Sequence, residues 1–426
     1  MISRVRTHSL AALFLAGVCS SSTAWAMPNF ARKYKLECSM CHTTIPRLTE
    51  YGFEFRKAGF RPPEEMSGEP TKNEFGDTFT ARIQGRYDYQ HHNDAGKTTN
   101  NNQITLHEIT LYPLSSSFGK HYSSLMELSI LNEDFVEIEN AYFRYSRGKQ
   151  ESFFSGRVGI FHPFEGYGAS DRPYSIDRPF IQTVVANQNG STFFTPWNFD
   201  QAGLEAAYVY KRTSVSATIF NGLFVTDDEG AYKAFPAAGG SLQKQPGFTK
   251  RNSKDFQLFV NQILNADGSG ASLYYYHGNS NLPKPGVAPA DYGPGTSFDN
   301  GYDRVALYAN YRLLPKLEVQ GAYQSGKDAF FDPVAGNANA TFKSKGWFGE
   351  VDVPASPHLT LGARYDWFDP SDRKSHNART GVTVYTNVPF NDGLQAIVQY
   401  RHIDQQRLGL DSVKDDTFQV RLIWIW

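Results

Sequence analysis

Cys38, Cys41 and His42 are the residues whose types and spacing could do chemistry in this chain. They stand as Cys38-Ser39-Met40-Cys41-His42, a C-x-x-C-H motif. Two thiols three positions apart, followed at once by an imidazole, form the attachment signal for c-type haem. Each thiol can add to one vinyl group as a thioether, and the histidine can ligate the iron from one face. Cys19 is the only other cysteine, so a chance match is improbable. A thioredoxin-like pair would want a βαβ context, and a zinc site would want a second ligand pair nearby. Neither is visible, and a plain disulfide is the other alternative. The motif predicts one covalent haem c, attached at Cys38 and Cys41, with His42 on the metal. No residue is assigned a catalytic role.

The second axial ligand is not legible from spacing. Met66 lies near the motif, and His107, His121 and His162 lie on or near later strands. A histidine on a strand is more often polar lining. Met40 sits inside the motif and is expected to point elsewhere. An iron left open on one side would instead favour peroxidase-like chemistry.

The elements that must position the motif come next. Residues 1–26 read as an export signal: Arg4 and Arg6, an apolar run from Leu10 to Val18, then Ala24-Trp25-Ala26. Cleavage there removes Cys19 and leaves both other cysteines to the motif. Export suits a cofactor that is attached outside the cytoplasm. After the signal no stretch approaches 18 apolar residues, which excludes transmembrane helices. The 426-residue chain has 24 Tyr, 32 Phe and 6 Trp. Aromatic richness with a mean hydropathy of −0.47 fits a barrel whose lipid-facing and lumen-facing residues alternate. A formal net charge of −1 gives no field that would attract nucleic acid.

Residues 27–76 are the helix-like part, a head and its linker. Phe30, Tyr34 and Cys38 recur on one helical face. Pro46 predicts a second helix start with Thr44 as its cap, Tyr51, Phe55 and Ala58 line that helix, and Gly59 stops it. About fifty residues are marginal for an independent core. The head is therefore expected to plug the barrel that follows rather than hang free.

Residues 77–426 read as an all-β transmembrane barrel of about sixteen antiparallel strands. The period becomes two. Phe418, Val420, Leu422, Trp424 and Trp426 alternate with Thr417, Gln419, Arg421, Ile423 and Ile425. Phe79, Ala81, Ile83 and Tyr87 oppose Thr80, Arg82, Gln84 and Arg86. The predicted strand cores are 78–90, 103–113, 120–131, 136–146, 152–162, 200–211, 213–224, 255–265, 270–278, 302–313, 316–325, 345–354, 358–368, 378–387, 393–403 and 416–426. Links after even strands are mostly short, and the long ones (163–199, 225–254, 279–301, 326–344, 404–415) follow odd strands. Short periplasmic turns and long extracellular loops are the outer-membrane pattern, which puts both termini in the periplasm. Lumen candidates are Arg82, Arg86, Glu127, Arg157, Arg304, Arg312, Glu318, Arg364, Arg401 and Arg421. They could meet haem propionates, pair with the head, or be ordinary pore lining. The 163–199 loop, with Asp171, Arg172, Asp177 and Arg178, is long enough to fold inward as a constriction.

The stretch Pro28-Asn29-Phe30-Ala31-Arg32, the C-x-x-C-H motif, Pro46-Arg47-Leu48, Tyr51-Gly52, Phe55-Arg56 and Gly59-Phe60 resembles the head of the fused monohaem cytochrome–porins of iron-oxidising bacteria. The order of parts (signal, head, linker, barrel) matches as well. The resemblance implies an outer-membrane conduit that passes electrons from extracellular Fe(II) to a periplasmic c-type cytochrome, an Fe(II):cytochrome c oxidoreductase. Cys38, Cys41 and His42 carry over as the haem residues. Lys33-Tyr34-Lys35 departs from the Gln-Thr-Gly type stretch usual there. Related heads also occur in bacteria that respire extracellular acceptors, so electron export in metal reduction stays open. A reading of another class is an anion-preferring diffusion porin with an accessory haem head.

Overall fold

Strands that alternate apolar and polar residues can bury either face. Here the polar face is inside. The computed structural model describes residues 28–43, 45–66, 73–131, 135–168, 172–183, 186–188, 191–193, 200–222, 254–284, 297–332, 337–390, 393–407 and 410–426. The export signal at 1–26, Thr44, Asp171 and most of the 225–254 link lie outside them.

Sixteen strands close into one antiparallel barrel: β1 Thr80–Asp94, β2 Lys97–Tyr112, β3 Tyr122–Leu131, β4 Phe135–Lys149, β5 Ser152–Phe161, β6 Gln201–Tyr210, β7 Thr213–Phe220, β8 Asp255–Ile263, β9 Gly270–Pro283, β10 Ser297–Leu314, β11 Leu317–Asp332, β12 Asn337–Ser356, β13 Leu359–Asp369, β14 Arg379–Pro389, β15 Leu394–Arg407 and β16 Leu410–Ile425. A further short segment, Ser116–Phe118, continues the β2 edge and pairs with the start of β3. Neighbours in sequence are neighbours in the sheet. β16 returns to β1, with Arg82 opposite Ile425 and Asp94 opposite Val413, so the sheet has no free edge.

On β10, Val305, Leu307 and Tyr311 face outward at 45–55% exposure, while Arg304, Tyr308 and Asn310 are buried. The same inversion holds on β13, with Leu361 and Tyr365 outside and Thr360, Arg364 and Asp366 inside. On β16, Phe418, Leu422 and Trp424 are outside, and Gln419 and Arg421 inside. An apolar exterior with a polar interior suits a surface solvated by lipid.

Two-residue turns link β4 to β5, β6 to β7, β10 to β11 and β12 to β13, all at one end. At the other end the strands run on into the sequence-based loops at 279–301, 326–344 and 404–415 as far as the described residues go. β10, β11 and β12 have 18, 16 and 20 residues, well beyond the 9–11 that cross a bilayer. Their polar, Gly-rich outer halves keep pairing in register, because hydrogen bonding to a neighbouring strand satisfies backbone that the sequence pattern assigns to loop.

The head folds into three short helices, α1 Pro28–Tyr34, α2 Cys38–Cys41 and α3 Glu50–Lys57. The single face through Phe30, Tyr34 and Cys38 does not form. Lys35 adopts φ 54°, and Leu36 N–H reaches back to the Ala31 carbonyl at 3.2 Å, which ends α1 as a left-handed cap. The second helix starts at Glu50, not Pro46. Thr49 is its cap, its hydroxyl accepting from Gly52 N–H at 3.1 Å, while Pro46 lies in the preceding turn. Gly59 stops it, with φ 83° and Phe60 N–H on the Phe55 carbonyl at 2.9 Å. Phe30 stacks on Phe60 at 4.8 Å and meets Phe55 edge-on at 5.5 Å. Burying Phe55 and Phe60 stabilises the head by about 1.5–3 kcal/mol each.

Candidate functional site: a cavity at the C-x-x-C-H motif inside the barrel

The head sits in the lumen at the short-turn end. Asn29 donates to the Ser115 carbonyl at 2.6 Å and accepts from Thr80 at 2.9 Å. Lys33 Nζ donates to the Ser117 carbonyl at 2.9 Å and to both Ser116 and Ser117 hydroxyls. Glu50 N–H bonds the Ala266 carbonyl in the β8–β9 turn, and the Glu50 carboxylate takes Arg212 from the β6–β7 turn. Arg144 and Ser146 on β4 donate to the carbonyls of Arg56 and Lys57. Gly168 and Gly268, both at positive φ, leave the room into which Leu48 and its backbone fit.

The described part of the 163–199 loop folds inward. Arg401 meets Asp177 at 3.3 Å, Ile176 N–H bonds Gln399, Phe180 N–H bonds Asp366, and Arg364 donates to the Asp177 carbonyl. Arg172 lines the cavity beneath, and Arg178 is half-buried. Two carboxylates, Glu318 of the wall and Glu165 of the loop, tie loop, head and wall together. Glu318 on β11 takes Arg47 of the head at 3.2 Å, Tyr174 of the loop at 3.0 Å, and Arg312. Glu165 of the loop takes Lys57 at 2.5 Å, Arg56 at 3.5 Å and Arg157 of β5 at 2.6 Å.

Most of the lumen arginines foreseen from sequence are therefore matched by carboxylates. Arg82 pairs with Glu108 and Glu127, Arg86 with Asp88, Arg157 also with Glu205, Arg304 with Asp328, and Arg364 with Asp366. Arg421 is buried and faces the cavity.

Between head and loop lies a cavity with an empty volume of about 2040 Å³, open solvent at its mouth included. Cys38, Cys41 and His42 line it together. Phe30, Leu36, Ile45, Leu48, Phe55 and Phe60 give it apolar lining, and Arg82, Arg172 and Arg421 line it together with the carboxylates Glu127 and Glu139. Apolar side chains for a macrocycle and cations for its carboxylates are thus both present in the lining. α2 carries both thiols in one turn. Burial pushes the Cys41 thiol up to about 12 and holds His42 down at about 4, so the imidazole is neutral, as a metal ligand must be. His42 Nδ1 lies 3.2 Å from the Arg47 carbonyl, which assigns its proton to Nδ1 and leaves Nε2 as the basic nitrogen. Gly52 has no side chain where α3 crosses the Cys41 carbonyl, and a Cβ there would collide with that oxygen. Among the described residues no group of three or more His, Cys, Asp or Glu gathers to hold a metal ion. A haem iron needs no such group, since the macrocycle supplies four of its ligands.

The four residues considered for the other iron face separate. Met66 is buried beside Ala58, Phe153 and Val209, away from the cavity. His121 lies beside the Ser146 carbonyl at 3.1 Å and packs on Tyr145. His107 does not line the cavity, and His162 does. Met40 is 41% exposed and points away. Gly52 and Phe60 entered the sequence reading only through the resemblance, with no role given to them, and the carboxylates Glu165 and Glu108 were missed. A glycine in the first turn of a helix was the available signal for Gly52, while the carboxylates carry none.

The fold is that of the outer-membrane porins. The outer membrane channel DcaP of Acinetobacter baumannii aligns with 82% of this chain and 96% of its own at TM-score 0.53 and 14% identity. An anion-selective porin from Comamonas acidovorans aligns over 82% and 99% at TM-score 0.56 and 9% identity. OmpT of Vibrio cholerae aligns over 82% and 100% at TM-score 0.50 and 12% identity. At these identities the likeness is one of fold. The chain matches no protein-family profile and no curated protein.

Proposed function

We propose that this barrel is an outer-membrane electron conduit of the fused monohaem cytochrome–porin type. Cys38 and Cys41 would hold one haem c as thioethers, and His42 would ligate its iron. The observation that carries this reading is the position of the attachment motif. It lines a cavity walled by head, lumen loop and barrel. When bound, the haem supplies a one-electron couple that needs no substrate bond to iron.

The residues of the chain do the rest. Phe30, Leu36, Leu48, Phe55 and Phe60 exclude water from the macrocycle face. Arg172 and Arg421 are the lining cations that would meet propionates, whereas Arg82 is held by Glu108 and Glu127. Arg47, Arg56 and Lys57 clamp the head to Glu318 and Glu165, which fixes the motif in the barrel. The apolar band of such a barrel is about 25 Å tall, so a single haem cannot reach both surfaces. The head docks at the short-turn end, the periplasmic one in this reading, where a periplasmic c-type cytochrome can dock. The donor, Fe(II), approaches from the long-loop end. Redox spectroscopy of the purified protein tests the proposal. Fe(II) added at near-neutral and acidic pH is expected to raise a reduced c-type α-band. No band at either pH overturns the iron-oxidase reading.

A further inference from the structure

We propose that His162 is the second axial ligand, so that the haem iron is held between two imidazole nitrogens. The inference rests on the haem reading above and assigns the face that the attachment motif leaves open. His162 lines the same cavity as Cys38, Cys41 and His42, and is 7% exposed. Among the described residues the cavity lining contains no methionine and no histidine besides these two. His42 enters from the head, whereas His162 follows directly on β5 and opens the loop that turns into the lumen. Two separate elements thus approach one cavity, as the two faces of a macrocycle require.

The ring of His162 is set as a ligand's ring is set. Its Nδ1 lies 2.8 Å from the Phe164 carbonyl. The Phe164 N–H also lies 3.2 Å from that nitrogen. The shorter contact decides the tautomer, because a bare ring nitrogen at 2.8 Å would set its lone pair against the carbonyl's. The proton sits on Nδ1, and Nε2 is the basic nitrogen. His42 has the same arrangement through the Arg47 carbonyl at 3.2 Å. Metal-binding histidines almost always carry such a second hydrogen bond, which fixes the ring and raises its basicity.

The segment is also pinned. The Pro163 carbonyl accepts from Gln257 on β8 at 2.6 Å, and Glu165 is held by Arg157 and by Lys57 of the head. The loop that presents His162 is therefore fastened both to the barrel and to the domain that presents His42. Removal of the head would separate the two imidazoles. A pair of imidazoles also gives a lower potential than an imidazole–thioether pair, because a methionine ligand raises it.

The test uses the full-length protein purified from membranes, with His162→Ala, His162→Met and His121→Ala variants. Wild type and His121→Ala are expected to stay low-spin in both oxidation states and to bind no carbon monoxide. Reduced His162→Ala is expected to bind carbon monoxide, and added imidazole to restore its low-spin spectrum. His162→Met is expected to gain the sulfur-to-iron charge-transfer band and a higher midpoint potential. Carbon monoxide binding by reduced wild type, or an unchanged spectrum in His162→Ala, overturns the inference. Covalent haem stain on the denatured chain is scored in parallel. Its absence from wild type overturns the haem reading itself, whereas stain with an unchanged His162→Ala spectrum overturns the axial assignment alone.

Discussion

Glu165→Ala should unseat the head. Glu165 is 6% exposed and accepts Lys57 at 2.5 Å, Arg157 at 2.6 Å and Arg56 at 3.5 Å. Lys57 and Arg157 are themselves 9% and 2% exposed. Removing one partner of a buried ion pair costs about 3–5 kcal/mol, because the other charge stays desolvated. Arg157 keeps Glu205 at 2.8 Å, and Arg56 is partly solvated, so Lys57 bears most of the loss. The lower end, about 3 kcal/mol, applies. At 1.4 kcal/mol per decade, the docked-to-undocked ratio falls by about a hundredfold. Single-channel recording in planar bilayers reads this as a rise in open-state occupancy, and trypsin reads it as faster release of the head. Lys57→Met combined with Glu165→Gln removes the stranded cation and keeps an acceptor for Arg157, so it should recover most of the closed state. A Glu165→Ala protein as closed and as resistant to trypsin as wild type refutes the reasoning, and so does a double variant no better than the single one.

Other perturbations follow from the same contacts. Cys41→Ala should lose most of its covalent haem stain, and full stain would sink the attachment claim. Gly52→Ala sets a Cβ against the Cys41 carbonyl and should lower haem loading and the melting temperature of the head, whereas the exposed Met40→Ala should change neither. Glu54 is raised to about 7 by burial, with Glu50, Glu151 and Glu64 adding to it. Its protonated form is the one the folded head favours, so its contribution is complete below about pH 4.5 and is lost as pH rises through about 7. Glu54→Gln should flatten the pH dependence of head release over that range, and an unchanged profile would show that another group governs it.

The barrel was legible because its signal is periodic and local. Each of the sixteen cores meets one observed strand, since lipid outside and polar lumen inside enforce the alternation on every strand. The outer halves of β10 to β12 were not legible, because beyond the bilayer neither face must be apolar and the alternation fades. In the head, Gly59 was readable as a stop because only positive φ suits that cap. The break at Lys35 was not, since a lysine gives no sign of a left-handed conformation. Cys38, Cys41 and His42 announce themselves by spacing. His162 is 120 positions from His42 and gains meaning only when the loop after β5 turns into the lumen. The roles of Glu165 and Glu318 are likewise set by which wall the head meets, information that no local window holds.

The central claim, an electron path through this barrel, is tested most directly in sealed proteoliposomes. The protein is inserted with its short-turn end inward, oxidised cytochrome c is trapped within, and Fe(II) is added outside under anaerobic conditions. The trapped cytochrome should become reduced in vesicles carrying the wild-type protein, and stay oxidised in vesicles carrying Cys41→Ala or no protein. Reduction at the same rate in the Cys41→Ala vesicles, or none in the wild-type vesicles, contradicts the claim.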